Sequence, residues 1–79
     1  MKTISLAELK QGEHAVIKGL ERSELGNKLM VMGLLVGETI EVNRIAPLGD
    51  PIAFKIGNYL LSLRKDEAAA VKVELIMES

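Results

Sequence analysis

The sequence predicts a mainly β domain: a small barrel of about five short strands, with one short α-helix between the first and second strands. Apolar and polar residues alternate over several short segments, which is the period of a half-buried strand. Turns rich in glycine, proline and asparagine separate these segments. One segment instead places apolar residues at helical spacing. An open sheet with the helix covering one face is the alternative that these patterns leave open.

The predicted helix spans about Glu24–Met32, and Ser23 is its candidate N-cap. Its inward face consists of residues at helical spacing: Leu25, Leu29 and Met32. Gly26 weakens an isolated helix by about 1 kcal/mol relative to alanine. Packing of the apolar stripe is therefore expected to hold this helix in place.

The exit of the helix lies at Gly33, where the period of the apolar pattern changes. A glycine just past the last helical residue takes the left-handed conformation at little cost and so ends a helix. This motif predicts a contact between Leu34 and Leu29. Gly37 is a second turn that leads into the next strand.

Five segments are predicted as strands: His14–Leu20, about Glu38–Ala46, Ile52–Ile56, Tyr59–Arg64 and Val71–Leu75. The alternation slips near Asn43 and Arg44, which predicts a bulge or a sharp bend. Gly57 and Asn58 predict a two-residue hairpin turn because both residue types tolerate a positive φ.

The remaining segments are predicted as turns and loops. Ser5 and Glu8 have the spacing of a capping box, which predicts a short helical turn over about Ser5–Lys10. Asp66 is predicted to cap a second helical turn over residues 66–70. Two prolines and a glycine within residues 47–51 predict a stiff loop.

Length and composition predict a single domain over residues 1–79 and exclude several classes of protein. The longest apolar run, residues 29–36, is far shorter than the roughly 20 residues of a membrane-spanning helix. The absence of cysteine fits a reducing compartment, so a cytoplasmic location without membrane insertion is expected. Ten basic residues against eleven acidic ones, with one Tyr and one Phe, argue against nucleic acid as a ligand.

Candidate chemistry is sparse. His14 is the only histidine, and no nucleophile, base and orienting acid are evident together. No phosphate-binding glycine motif occurs, so neither an enzyme nor a bound cofactor is predicted. His14 beside Glu13 is a weak candidate metal ligand, because adjacent strand residues point to opposite faces. A solvated strand histidine is the favoured interpretation.

An apolar surplus follows the helix and is the more informative feature. It comprises Met30, Val31, Leu34, Leu35 and Val36. Core packing and an adaptable partner-binding groove are both open interpretations of this surplus. Leu48 on the stiff loop has the same two interpretations, as a lid that folds back or as an exposed docking residue.

Four motifs, in this order along the chain, resemble the ferrous iron transport protein A family. They are Leu9-x-x-Gly12-Glu13, Met32-Gly33-Leu34-x-x-Gly37-Glu38, Ala46-Pro47-Leu48-Gly49-Asp50-Pro51, and Tyr59-x-Leu61-x-Leu63-Arg64 running into Glu67-Ala68. The likeness covers about residues 4 to 76. The second and third motifs at this separation make it specific, whereas either alone is a weak signal.

The resemblance implies an SH3-like barrel and a small cytoplasmic accessory protein. Members of that family accompany a membrane ferrous iron permease that carries a cytosolic GTPase domain. A similar module forms the C-terminal domain of iron-dependent repressors, but the DNA-binding and dimerisation domains of those repressors have no counterpart in this sequence. A free-standing module is therefore favoured. The family is also associated with transition-metal binding, for which this sequence offers no convincing ligand set.

The first hypothesis is a non-enzymatic interaction module that docks on the permease. Its candidate contacts are Leu34, Leu35, Leu48, Gly49, Asp50 and Pro51. The alternative is an intracellular metal-binding or metal-sensing protein with His14 and nearby carboxylates as ligands. Weak self-association is also expected.

Overall fold

The order of secondary structure follows the predicted pattern with one addition. A computed structural model describes residues 3–77, so residues 1, 2, 78 and 79 of the predicted domain lie outside the described residues. The elements are β1 (Thr3–Ser5), a 3₁₀ turn (Leu6–Glu8), β2 (His14–Leu20), α1 (Glu24–Val31), β3 (Thr39–Ile45), β4 (Ile52–Ile56), β5 (Tyr59–Leu63), α2 (Lys65–Ala68) and β6 (Val71–Leu75).

The strands form one antiparallel sheet of six strands in the order β1-β6-β2-β3-β4-β5. The prediction of about five strands therefore missed β1, which pairs with β6 through Thr3, Ile4 and Ser5. A segment of three residues is too short to show an alternation of period two. Over residues 3–77, β1 and β5 pair with no second strand, so hydrogen bonding does not close the sheet into a complete barrel.

The hydrophobic core lies on one face of this sheet, as the alternation of apolar and polar residues along the strands predicts. The buried strand residues include Ala15, Ile17, Ile40, Val42, Ile52, Phe54, Ile56, Leu63, Val71 and Val73. The predicted irregularity in β3 is also present, as a register shift between Val42 and Arg44 opposite β4. Such a shift bends the strand and increases its twist.

Helix α1 begins and ends as the sequence predicts. The Ser23 hydroxyl accepts a hydrogen bond from the Gly26 N–H at 3.1 Å. At the exit Gly33 has φ +107°. The Gly33 N–H then donates to the Met30 carbonyl at 3.0 Å and the Leu34 N–H to the Leu29 carbonyl at 3.1 Å. These two bonds form a Schellman motif.

Gly26 has a role that the sequence does not reveal. Although glycine is unfavourable inside a helix, Gly26 is buried, and a Cβ at this position would overlap the Glu21 carbonyl oxygen. The missing side chain lets the backbone before the helix pass close to the first helical turn. Gly26 is thus needed for packing, beyond being a weak helix former.

The two short turns differ in how they are capped. The Ser5 box is confirmed, because the Glu8 carboxylate accepts from the Ser5 N–H at 2.8 Å and the Ser5 hydroxyl accepts from the Ala7 N–H at 3.1 Å. The prediction of Asp66 as a cap is wrong, since helix α2 begins at Lys65 with Arg64 at the N-cap position. A carboxylate from a distant loop caps this helix instead, as described below.

Candidate partner-binding surface

The apolar surplus after helix α1 divides between core and solvent. We define the helix-exit surface as the four exposed apolar residues Met30, Val31, Leu35 and Val36. Val31 is 89% exposed and Leu35 is 48% exposed. Exposed apolar side chains that lie together are more typical of a binding surface than scattered single ones are. The core-packing interpretation therefore applies to Leu34, and the partner-groove interpretation applies to the helix-exit surface.

Leu34 belongs to the core, and its assignment as a partner contact is wrong. Its side chain is 0% exposed, within the same buried cluster as Leu29. The Schellman motif explains this, because it folds the residue after Gly33 back over the last turn of the helix. Leu35, one residue further on, remains accessible.

The loop over residues 46–51, which we call the proline loop, holds Leu48 in solvent. The Gly49 N–H donates to the Ala46 carbonyl at 2.7 Å, and the Ala46 N–H donates to the Pro51 carbonyl at 3.1 Å. Leu48 lies at the tip of this hydrogen-bonded turn and is 97% exposed. Of its two interpretations, the structure therefore favours an exposed residue over a lid.

Asp50 ties the proline loop to helix α2. Its Oδ1 accepts a hydrogen bond from the Lys65 N–H at 2.9 Å. An acceptor at a helix N-terminus satisfies one of the free N–H groups there. This bond gives Asp50 a structural role, and contact of Asp50, Gly49 and Pro51 with a partner stays a prediction.

The structure places the candidate residues in two groups at opposite ends of β5. At its start, the Tyr59 hydroxyl lies 3.5 Å from the Met32 carbonyl and next to Gly33, beside the helix exit. At its end, Ser62 lines a small depression together with Pro47 and Pro51 of the proline loop. Tyr59 and Ser62 are three residues apart in extended strand, a separation of roughly 10 Å.

Between the two groups lie apolar residues that the sequence analysis did not select. Tyr59 and Leu60 are both exposed, and Leu60 is 61% exposed. The sequence held a signal for them, because Leu60 and Leu61 are consecutive leucines in a strand that otherwise alternates. When two adjacent strand residues are apolar, one of them faces away from the core.

His14 lies beside one carboxylate. Its Nδ1 is 3.7 Å from Oε1 of Glu41, its cross-strand partner in β3. Glu13 does not complete a site, because its Oε1 accepts from the Lys10 N–H at 2.7 Å. Within residues 3–77 no three His, Cys, Asp or Glu side chains form a group suited to a metal ion.

A cleft of about 680 Å³ is lined by residues at the end of β2 and by residues in and after helix α2. Its charged lining residues are Glu21, Arg22, Asp66 and Lys72. The charges are of both signs, and the lining of the cleft contains no His, Ser, Thr or Cys side chain. The cleft therefore lacks the nucleophile and base on which an assignment of catalysis would rest.

Glu67 connects the two helices electrostatically. The Arg64 backbone N–H donates to Glu67 Oε1 at 2.8 Å, and Lys28 Nζ of α1 lies 3.4 Å from Oε2. The Arg64 N–H, and to a lesser extent Lys28, stabilise the carboxylate and lower the pKa of Glu67, against an opposing contribution from desolvation. This is a stabilising contact between α1 and α2.

Comparison with known proteins identifies the family. The FeoA domain model matches residues 4–75. The chain belongs to the FeoA family. A FeoA relative from Porphyromonas gingivalis, an Fe(2+) transport protein A/Fe(2+) transporter FeoB fusion protein, is 43% identical over 72 residues. The match covers 90% of this chain and 8% of the fusion protein, so the chain spans a small part of that relative's length.

Solved FeoA structures share the fold. The FeoA-like protein from Clostridium acetobutylicum is 38% identical with a TM-score of 0.93, over 100% of this chain and 93% of that one. FeoA from Stenotrophomonas maltophilia, complexed with zinc and described as a prokaryotic SH3 domain protein, is 25% identical with a TM-score of 0.79, over 90% of this chain and 89% of that one. The predicted SH3-like fold is thereby confirmed.

The fold also occurs in metal-dependent repressors, as the resemblance implied. IdeR from T. acidophilum superposes with a TM-score of 0.81 at 18% identity, over 96% of this chain and 35% of that one. At this identity the likeness concerns the fold alone. None of the helices within residues 3–77 of this chain has the length and apolar character that crossing a bilayer requires.

Proposed function

We propose that this protein is a non-catalytic accessory of ferrous iron uptake that docks on the cytosolic region of a ferrous iron permease. The observation that carries the proposal is the fusion relative, in which a segment 43% identical to this chain is joined to an FeoB transporter in one polypeptide. Two proteins that are fused in one organism commonly act together as separate chains in another. A cytoplasmic location is part of the same proposal.

The surface chemistry supports contact with another protein. The helix-exit surface offers four exposed apolar side chains, two of them on the last turn of α1 and two in the link that follows. Methionine adapts its shape to a partner surface, because its side chain is unbranched, flexible and polarizable. Leu48 adds an apolar side chain on a loop whose backbone is held by hydrogen bonds, which reduces the backbone entropy lost on binding.

The test is capture of the purified cytosolic GTPase region of the permease on the immobilised full-length protein. Capture is measured without nucleotide, with GDP and with a non-hydrolysable GTP analogue. Leu35→Glu and Leu48→Glu each place a charge in the proposed contact, and the double variant should weaken capture at least about tenfold. Both residues are exposed, so the fold is expected to be retained.

Met77→Glu is the matched control, because it places the same charge on an exposed apolar side chain outside the two candidate groups and outside β5. It should leave capture within about twofold of the unmodified protein. Absence of capture in every nucleotide state would refute docking. If all three single variants lose capture equally, the loss results from the added negative charge and not from its position on the surface.

A weak metal site is the second candidate, and the His14–Glu41 pair is the observation that favours it. One imidazole and one carboxylate provide two ligands, fewer than the four typical of a structural zinc site. Titration of zinc or ferrous iron into the protein and into His14→Ala separates the candidates. A saturable site that disappears in His14→Ala would favour metal sensing.

A further inference from the structure

The two edges of the sheet are protected to very different degrees. Edge strand β1 has three residues, and the Glu8 carboxylate accepts a hydrogen bond from the Ser5 N–H of this strand. Edge strand β5 has five residues, Tyr59-Leu60-Leu61-Ser62-Leu63, and contains no charge, proline or bulge. Soluble proteins commonly protect their edge strands with such features. β5 is therefore the edge available for pairing.

The register of β5 identifies its free backbone groups. A two-residue turn joins β4 to β5, and Ile56 lies opposite Tyr59. The pair that flanks such a turn is hydrogen-bonded, and bonded pairs then alternate along an antiparallel ladder. Tyr59, Leu61 and Leu63 consequently bond to β4. The N–H and C=O groups of Leu60 and Ser62 point outward, and within residues 3–77 no further backbone bond is made to them.

We propose that β5 pairs with β5 of a second copy of this chain, antiparallel, about a two-fold axis at Leu61. In this register Leu60 of each copy lies opposite Ser62 of the other, and each pair exchanges two hydrogen bonds. The four outward groups of each strand are then satisfied. The two edges match in their bonding pattern because the two outward-facing residues are placed symmetrically about Leu61.

The side chains fit the same arrangement. Leu61 lies opposite its own copy, and the two Leu60 side chains become diagonal neighbours, within reach of each other on one face. Arg64 lies opposite Asn58 of the second copy, so no two like charges face each other directly. The contact is much smaller than the roughly 1,600 Å² of a stable interface. The association is therefore weak and depends on protein concentration.

The experiment is a series of ¹⁵N NMR spectra of the full-length protein from about 0.05 to 2 mM, with amide hydrogen exchange measured at each end. The Leu60 and Ser62 amides should shift with concentration, and their exchange should slow at least about twofold. Leu60→Lys adds an edge charge and should weaken association about tenfold. Ser62→Pro removes an outward N–H without adding charge and should have the same effect.

Met77→Lys is the control, because it places the same charge on another exposed apolar side chain, after the end of β6. It should leave the concentration dependence unchanged. The proposal is overturned if the spectra do not change with concentration, or if amides elsewhere change while those of Leu60 and Ser62 do not. Far-UV circular dichroism shows that each variant is folded. Neither outcome depends on the permease, so docking and self-pairing are tested separately.

Discussion

The two ends of helix α1 contrast in what surrounds them. At the entry, Gly26 is buried against the Glu21 backbone, and the Ser23 hydroxyl caps the first turn. At the exit, the Schellman motif also satisfies the backbone, but four apolar side chains remain in solvent. Both ends are therefore ordered locally. The exit leaves a group of apolar side chains half or more exposed, whereas the entry does not.

The difference shows that satisfying the backbone hydrogen bonds at a helix end and burying the side chains there are separate matters. A Schellman motif fixes where the chain goes after the helix, and it buries the residue after the glycine. It does not determine whether the next two residues are buried or exposed. At the exit, Leu34 fills the core while Leu35 and Val36 face solvent.

The sharpest test within the exit compares two neighbouring leucines. Leu34→Ala should lower the free energy of unfolding by about 3 to 4 kcal/mol, because it removes a fully buried side chain and leaves a cavity. Leu35→Ala should change it by less than about 0.5 kcal/mol. Urea denaturation followed by circular dichroism measures both. Similar losses in the two variants would contradict the division between core and surface.

A second test concerns the entry. Gly26→Ala should destabilise the protein by about 3 kcal/mol, because the new Cβ meets backbone that cannot rotate away. Helix propensity alone predicts the opposite sign, a gain of about 1 kcal/mol. The sign of the change in thermal and urea unfolding therefore decides which effect dominates. Asn27→Ala, at the next and exposed position of the helix, is the control without a steric conflict.

A third test concerns the helix stop. Gly33→Ala should cost about 1 to 2 kcal/mol, because φ +107° is unfavourable for a residue with a side chain. The obstacle to its Cβ is the Tyr59 hydroxyl, at the end of a side chain that can move. The loss should therefore be smaller than at Gly26. Repeating the substitution in Tyr59→Phe, and comparing the urea midpoints, isolates the backbone contribution.

The smallest expected effect is at Glu67, which links α2 to the exposed side of α1. The folded state holds the pKa of Glu67 below its usual value, so the contact stabilises the fold above the unfolded pKa. That stability is lost as the pH falls through the lowered folded pKa. Glu67→Gln should therefore cost a few tenths of a kcal/mol at about pH 7, with solvent screening limiting the effect. The difference from the unmodified protein should disappear once the pH is below the lowered pKa, as urea midpoints measured from neutral to acid pH would show.

Much of the fold could be predicted from the chain because the determining signals are local. Gly33 ends the helix by its own conformational freedom, and the pattern of Ile40 and Val42 sets the inward face of β3 wherever that strand is placed. The partner candidates were harder to predict, since exposure depends on all neighbours at once. Leu34 and Leu35 are the same residue type at adjacent positions. The helix-stop motif places Leu34 against Leu29, but no local rule decides how exposed Leu35 is.

By itself the sequence determined the strands from β2 to β6, the limits of helix α1, and the resemblance that leads to the FeoA family. These depend on period, on the turn-forming residues and on motif spacing, all of which act within a few residues. The tertiary structure alone decided that β1 completes the sheet, that Asp50 caps α2, that Gly26 admits the Glu21 backbone, and that β5 remains an unpaired edge. Each of these is a contact, or the lack of one, between segments distant in the chain, and such contacts are set only when the whole chain packs.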